Sequence, residues 1–154
     1  MGGEEAVRAA EQELAGVLSP ARAARSVAEL RYAVSNDHAG TLYRAAVPAV
    51  ELFLQVVAER PGRAREEALG AILDWWGCFR AEPGHEAYED GQGGEVPLVD
   101  AIVRRVRNAE PLLRAVAEDP SGEGGHRSMA GELLRLLDAG WTLRAGIRAV
   151  PGGR

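Results

Sequence analysis

An all-α domain, built as a short stack of antiparallel helix pairs with about six or seven helices, is what this sequence predicts. Three observations carry that reading. Apolar residues recur at helical spacing along most of the chain. No alternating run of β-branched residues marks a strand. Two stretches repeat the same helix, turn, helix pattern, and such units bury their faces only by stacking. The 154 residues suffice for a single domain covering residues 1–154, and a domain of that size buries roughly 70% of the surface its unfolded chain exposes.

The first helix is expected over Glu4–Leu18, with Val7, Ala10, Leu14 and Val17 on its inner face. Glu4 and Glu5 suit the positive end of its macrodipole. Ser19-Pro20 supplies an N-cap and a first-turn proline for a second helix to about Val34, facing inward through Ala23, Val27, Leu30 and Val34. Residues 35–40 form a turn by composition, and Thr41 can cap the next helix. From Val47 to Val57 nearly every residue is apolar, and Glu51, Gln55 and Glu59 make one narrow polar stripe. A helix apolar on nearly all sides must have neighbours on two or three flanks. Pro61-Gly62 ends it. The next helix runs from Ala64 to about Phe79 with Ala68, Leu69, Ile72, Leu73 and Trp76 on one face.

Residues 80–96 differ. They include Pro83, Gly84, Gly91, Gly93 and Gly94, and five carboxylates against Arg80 give them −4 of the chain's net −5. The segment reads as an acidic, flexible loop inside the domain, solvated and free of core-forming side chains up to Glu95. Pro97 then opens a helix through Leu98, Val99, Ile102, Val103 and Val106, with Arg104, Arg105 and Arg107 off its apolar stripe. Acidic overall balance points those arginines to intramolecular or protein contacts. Asn108 caps a short helix over Ala109–Glu118. A loop comes next, then a helix over Arg127–Asp138 with Met129, Ala130, Leu133, Leu134 and Leu137 inward. Trp141, Leu143, Ile147 and Val150 can form a last amphipathic turn or two.

Composition narrows the function. All 18 basic residues are arginine, which removes Schiff-base chemistry, a lysine general base and a Walker-type phosphate loop. Cys78 is the only cysteine, so no intrachain disulfide or cysteine-cluster zinc site can form. Net charge −5 and a pI near 5.3 argue against a nucleic-acid surface. The acidic N-terminus lacks the basic and apolar regions of a signal peptide, and no apolar run approaches the roughly 20 residues of a membrane span. A cytoplasmic, monomeric protein without a cofactor or metal is expected, and the Arg-, Ala- and Gly-heavy usage fits a GC-rich bacterial genome.

The repeat lies in Leu54-Gln55-Val56-Val57-Ala58-Glu59-Arg60-Pro61 and Leu113-Arg114-Ala115-Val116-Ala117-Glu118-Asp119-Pro120. Each is followed by a glycine-containing turn, then by Arg and an Ala three residues on: Arg65 with Ala68, Arg127 with Ala130. With Val47-Pro48-Ala49-Val50 opening the first unit and Arg65 ending its turn, the sequence resembles the HEAT-repeat family of helical solenoids. Gly40 through Phe79 is similar to bacterial HEAT-repeat-like proteins of unassigned function. The resemblance implies a HEAT-like α-solenoid that acts as a non-catalytic module binding another protein. An immunity- or antitoxin-like inhibitor is one alternative. An enzyme on a HEAT-like scaffold, of glycosylase or lyase class, is another, although a glycosylase requires a basic groove to hold an extruded base.

Few residues stand outside the core stripes. His85-Glu86-Ala87-Tyr88-Glu89-Asp90 lacks the helical ligand spacing of a metal motif. Asp37 and His38 can be read as an acid/base pair or as turn residues bonding free backbone groups. Adjacent helical residues point about 100° apart, so Trp76 can continue the Ile72/Leu73 face while Trp75 is left at the edge. Asp37, His38, Tyr43 and Trp75 are therefore the expected partner-binding residues, with Trp75 as a desolvated anchor and Asp37 and His38 at the rim. Cys78 and His126 read as structural.

Overall fold

The computed structural model describes residues 2–142, so the expected contribution of Leu143, Ile147 and Val150 lies outside the described residues. Among the described residues the class is all-α, with seven helices: α1 (Gly3–Leu14), α2 (Pro20–Ala33), α3 (Ala46–Glu59), α4 (Arg63–Trp75), α5 (Leu98–Asn108), α6 (Glu110–Glu118) and α7 (Gly124–Ala139). Ser19 caps α2 by accepting from the Arg22 N–H, with Pro20 in the first turn. Gly62, at φ +105°, makes the tight reversal from α3 into α4.

Helix pairs α1–α2, α3–α4 and α6–α7 pack within themselves. Between pairs, α2 lies on α4 and α4 on α7, while α1 lies on α3 and α3 on α5. The helices thus contact one another in two rows. The inner face of α4 explains the first row: Ala64, Ala68 and Ala71 are small enough for α2, with its own Ala23 and Ala24, to come close. α3 is buried on nearly every side, as its composition requires, and Glu51, Gln55 and Glu59 are its exposed stripe.

Both repeat units take the expected form. α3 and α4 flank the Pro61 turn, and α6 and α7 flank the Pro120 turn. Arg65 Nε donates to the Val57 carbonyl at 2.7 Å, which satisfies an open acceptor at the C-terminal end of α3. Its charge also helps to lower the Asp119 carboxyl pKa. The three arginines of α5 make their contacts within the protein, Arg104 and Arg107 from exposed positions. Arg105 pairs with Glu51 at 2.7 Å and covers the Tyr88 ring. Arg107 donates to the Leu137 carbonyl, and Arg104 stands 3.9 Å from Asp90.

Asn108 ends α5 instead of capping α6, and Thr41 lies in a short strand instead of capping α3. Three further expectations need correction. The first helix stops at Leu14 rather than Leu18, so Val17 leaves the inner stripe and is fully exposed. Trp75 is not at an edge: it is 0% exposed, with the rings of Phe53 and Phe79 at 5.7 and 6.4 Å. It continues the Ala68/Ala71/Ile72 face of α4, one turn beyond Ile72. The helix ends there. Trp76 takes an extended conformation at ψ 115°, and Gly77 at φ +70° turns the chain back. The 100° rule therefore no longer separates the two rings, and Trp76 is buried as well, against Trp141 at 4.9 Å.

The third correction is the acidic segment, which carries local structure instead of being a featureless loop. Strand β1 (Ser35–Asn36) pairs antiparallel with β2 (Thr41–Leu42), and β2 pairs in parallel with β3 (Arg80–Ala81) in the register Thr41↔Arg80 and Leu42↔Ala81. Strands β4 (Ala87–Glu89) and β5 (Glu95–Pro97) form a hairpin against α5. Tyr88 and Val96, both half-buried, pack on the core.

Candidate functional site

Parallel pairing of β2 with β3 decides what meets what. It brings residues 41–44 beside residues 80–87, which are far apart in sequence. Thr41 Oγ1 donates to the Glu82 carboxylate, and the Glu82 N–H to the Leu42 carbonyl at 2.9 Å. The next residues along the same seam form the site. The Arg44 backbone N–H donates to Nδ1 of His85 at 3.0 Å, and Arg44 Nε donates to the Ala87 carbonyl at 2.9 Å. Tyr43 stands edge-on to the His85 ring, centroids 5.3 Å apart.

These contacts set the chemistry. A lone pair on Nδ1 is needed to accept the Arg44 bond, so the neutral His85 ring carries its proton on Nε2. Arg44 uses Nε on its own protein and keeps the outer edge of its guanidinium open. Tyr43 and His85 are each half-buried and Arg44 is exposed.

The opposite wall comes from α1 and the end of α2. Gly3 lets the start of α1 approach closely: a Cβ there would stand 2.8 Å from that of Ala45. Between these walls lies an open groove of about 800 Å³ lined by Glu5, Arg8, Tyr32, Tyr43, Arg44 and His85, among others. Tyr32 is 60% exposed, with the Arg31 guanidinium 5.4 Å from its ring. Arg8 and Arg44 have no ion pair among the described residues. At the foot of the acidic segment, the Gly84 N–H bonded to Glu86, then the Glu86 N–H, hold the Glu86 carboxyl below its ordinary range.

Of the four residues expected from sequence, only Tyr43 lines this groove. Asp37 and His38 are exposed on the β1–β2 turn next to it. That turn is built by its polar side chains: Asn36 accepts from the Ala39 N–H at 3.2 Å, and the Ser35 hydroxyl lies 2.8 Å from the Arg31 carbonyl and 3.3 Å from Asp37. Trp75 is sealed in the core, its indole Nε1 buried without a hydrogen-bond partner. It cannot anchor a partner in this fold. No known protein family, curated protein or solved structure matches the chain.

His85, Arg44, Tyr32 and Arg8 are the residues that sequence reasoning missed. His85 was visible as the one histidine of the acidic segment. Nothing local said that a two-residue strand would set it against Tyr43. Among the described residues no group of three metal-ligating side chains converges, and no helix is long and apolar enough to cross a membrane.

Proposed function

We propose that this protein is a non-catalytic protein-binding module whose helix pairs stack in the manner of a short HEAT-like solenoid, and that the groove between α1 and the β2–β3 seam receives the partner. One observation carries the reading: two tyrosines, two arginines and one histidine line a single open groove of about 800 Å³. Tyr and Arg are the side chains that dominate protein recognition, because they combine large area with donors that a partner's carbonyls or carboxylates can meet. Their anchors are fixed in advance. The backbone bonds to His85 and from Arg44 hold the wall in place before anything binds, which lowers the ordering cost of association.

The two contact rows of helices support the stacked reading. The same groove carries Glu4 and Glu5 beside Arg8 and Arg44, a balance suited to a protein surface and poor for a phosphodiester backbone. A cytoplasmic location belongs to the same proposal.

The test is affinity capture with mass spectrometry, using the native chain, Tyr43→Ala, Arg44→Glu and, as a control, Arg114→Glu on the exposed face of α6. A partner held by the native chain and the control but lost from both groove variants supports the reading. A partner retained by folded Tyr43→Ala and Arg44→Glu would place recognition elsewhere.

A further inference from the structure

His85 is half-buried in the groove wall, and its bond there is one that only the neutral ring can make. Nδ1 accepts the Arg44 backbone N–H at 3.0 Å. An imidazole ordinarily gains its second proton at about pH 6.5. Both nitrogens of the cation are donors, so a protonated ring meets the Arg44 N–H donor to donor. Turning the ring over does not help, because neither nitrogen can then accept.

The charged and titratable groups around the ring come from several elements. Tyr43 and Arg44 follow β2, and Glu82 and Glu86 flank His85 along the chain. Glu4, Glu5 and Arg8 of α1 and Tyr32 of α2 line the same groove. Two of the carboxylates are engaged elsewhere: Glu5 accepts from the Gly2 N–H at 3.4 Å, and Glu82 from the Thr41 hydroxyl. Glu86 accepts from the Gly84 N–H at 3.0 Å. That bond, then its own N–H, and less strongly the charges of Arg44 and His85, hold its carboxyl below the ordinary range. Glu86 therefore stays ionised while an imidazole titrates, and it offers a protonated His85 a counter-charge on its own side of the seam.

Two bonds join Arg44 to the acidic segment, one to His85 and one from its Nε to the Ala87 carbonyl. The second survives protonation of the ring. The wall then loosens at Tyr43 and the Arg44 backbone without coming away.

We propose that His85 is a proton-operated latch on the groove wall. Neutral, it fixes Tyr43 and the Arg44 backbone; protonated, it releases the Arg44 N–H and turns to the Glu86 carboxylate. A partner that needs the fixed wall binds less well below about pH 6 than above about pH 7. That consequence rests on the groove reading above, whereas the latch itself does not.

The test uses the full ¹⁵N-labelled chain. Long-range ¹H–¹⁵N correlation of His85 reads the state of each ring nitrogen, and amide exchange of Arg44 reads the bond. At about pH 8, well above the ordinary imidazole range, Nδ1 should be bare, Nε2 protonated and the Arg44 amide protected. Towards about pH 5.5, protection at Arg44, corrected for the intrinsic exchange rate, should fall at least about threefold, the lower part of one hydrogen bond's worth. The fall should share its midpoint with the ring, while amides within α3 keep their protection. His85→Phe retains a ring beside Tyr43 but neither accepts nor titrates, and it should leave Arg44 unprotected at both pH values. His38→Gln, on the exposed β1–β2 turn, should keep the step.

A proton on Nδ1 at about pH 8 would overturn the latch. So would Arg44 protection that ignores the ring, or a step that persists in His85→Phe. A missing step in a chain whose partner is still lost on Tyr43→Ala overturns the latch and leaves the groove reading standing. A clear step in a chain whose partner survives Tyr43→Ala and Arg44→Glu supports the latch and removes the partner from the groove.

Discussion

Trp75→Ala should cost about 3–5 kcal/mol of stability, the range for deleting a large aromatic from a core. The structure sets the upper part of that range. A buried tryptophan removes about 150–250 Å² from water, worth roughly 4–6 kcal/mol at 25 cal/mol per Å². Alanine retains a share of it. The Phe53 and Phe79 rings, at 5.7 and 6.4 Å, lose their shared neighbour and border the cavity. Against this, removing an indole N–H buried without a partner returns about 1–3 kcal/mol of desolvation penalty. Trp75→Phe separates the two effects, because it keeps most of the ring packing and removes the N–H. It should cost less than half of the alanine change. Urea unfolding followed by circular dichroism measures both. For a domain of this size each kcal/mol moves the melting temperature by about 2–4 °C, so Trp75→Ala should fall by roughly 6–20 °C. A loss under about 1 kcal/mol, within the range of surface substitutions, would show that Trp75 is not core and would restore it as an anchor. Emission of the Trp76→Phe/Trp141→Phe variant gives an independent reading, and a maximum as red as free indole in water would refute burial.

Three further outcomes are expected. Arg60→Lys should cost about 1.5–3 kcal/mol, the usual worth of hydrogen bonds to a charged group, because the lysine side chain is one bond shorter and its ammonium does not reach the place from which Nη2 donates to both the Leu14 and Gly16 carbonyls; an unchanged urea midpoint would show the α1–α2 connection to be fixed by other contacts. Replacing residues 84–95 with a short Gly/Ser linker should cost roughly 2–3 kcal/mol, from two bonds of Arg44 and the Arg105–Tyr88 contact at about 1 kcal/mol each; a melting temperature within one degree of the native chain would show the segment to be unpacked. The Ser121 hydroxyl, then the Ser121 N–H, hold the Asp119 carboxyl below its ordinary range, so its contribution is present above an unfolded carboxyl pKa of about 4 and is lost as pH falls through the lower folded value. The native chain should therefore exceed Asp119→Asn in stability at pH 7, by a margin that shrinks towards pH 2, and urea midpoints with a constant difference across that span would contradict the assignment.

The range of each signal decides how much was legible. Helix spacing is a local property, and all seven helices lie where apolar periodicity places them. The buried character of α3 and its single exposed stripe were also visible, since both are written within one helix. Errors arose where a helix ended. Val17 was assigned a face by helical geometry that had already stopped at Leu14, and Trp75 was set at an edge because Trp76, just beyond the helix end, was given the core face that Trp75 itself occupies. The strands were invisible for a different reason. Each has two or three residues, too few to show alternation, and their partners are set by tertiary packing. The candidate site inherits that limit. Tyr43 was singled out because no core stripe needed it, whereas His85 and Arg44 gained meaning only when β2 met β3.

That meeting has a kinetic consequence. Thr41 and Arg80 stand at the two ends of the stretch that contains α3 and α4, so their pairing is the clasp of a closed loop. Joining the ends of a free chain of that length costs about 3 kcal/mol from loop entropy, more than two short strands return. The clasp can shut only after α3 and α4 have folded back on each other and brought its halves together. Its closure therefore follows that of the α3–α4 hairpin. Its release separates Tyr43 from His85 and leaves the helix hairpin intact. The groove thus depends for its assembly on the α3–α4 hairpin, and amide exchange at Glu82 should outpace exchange within α3.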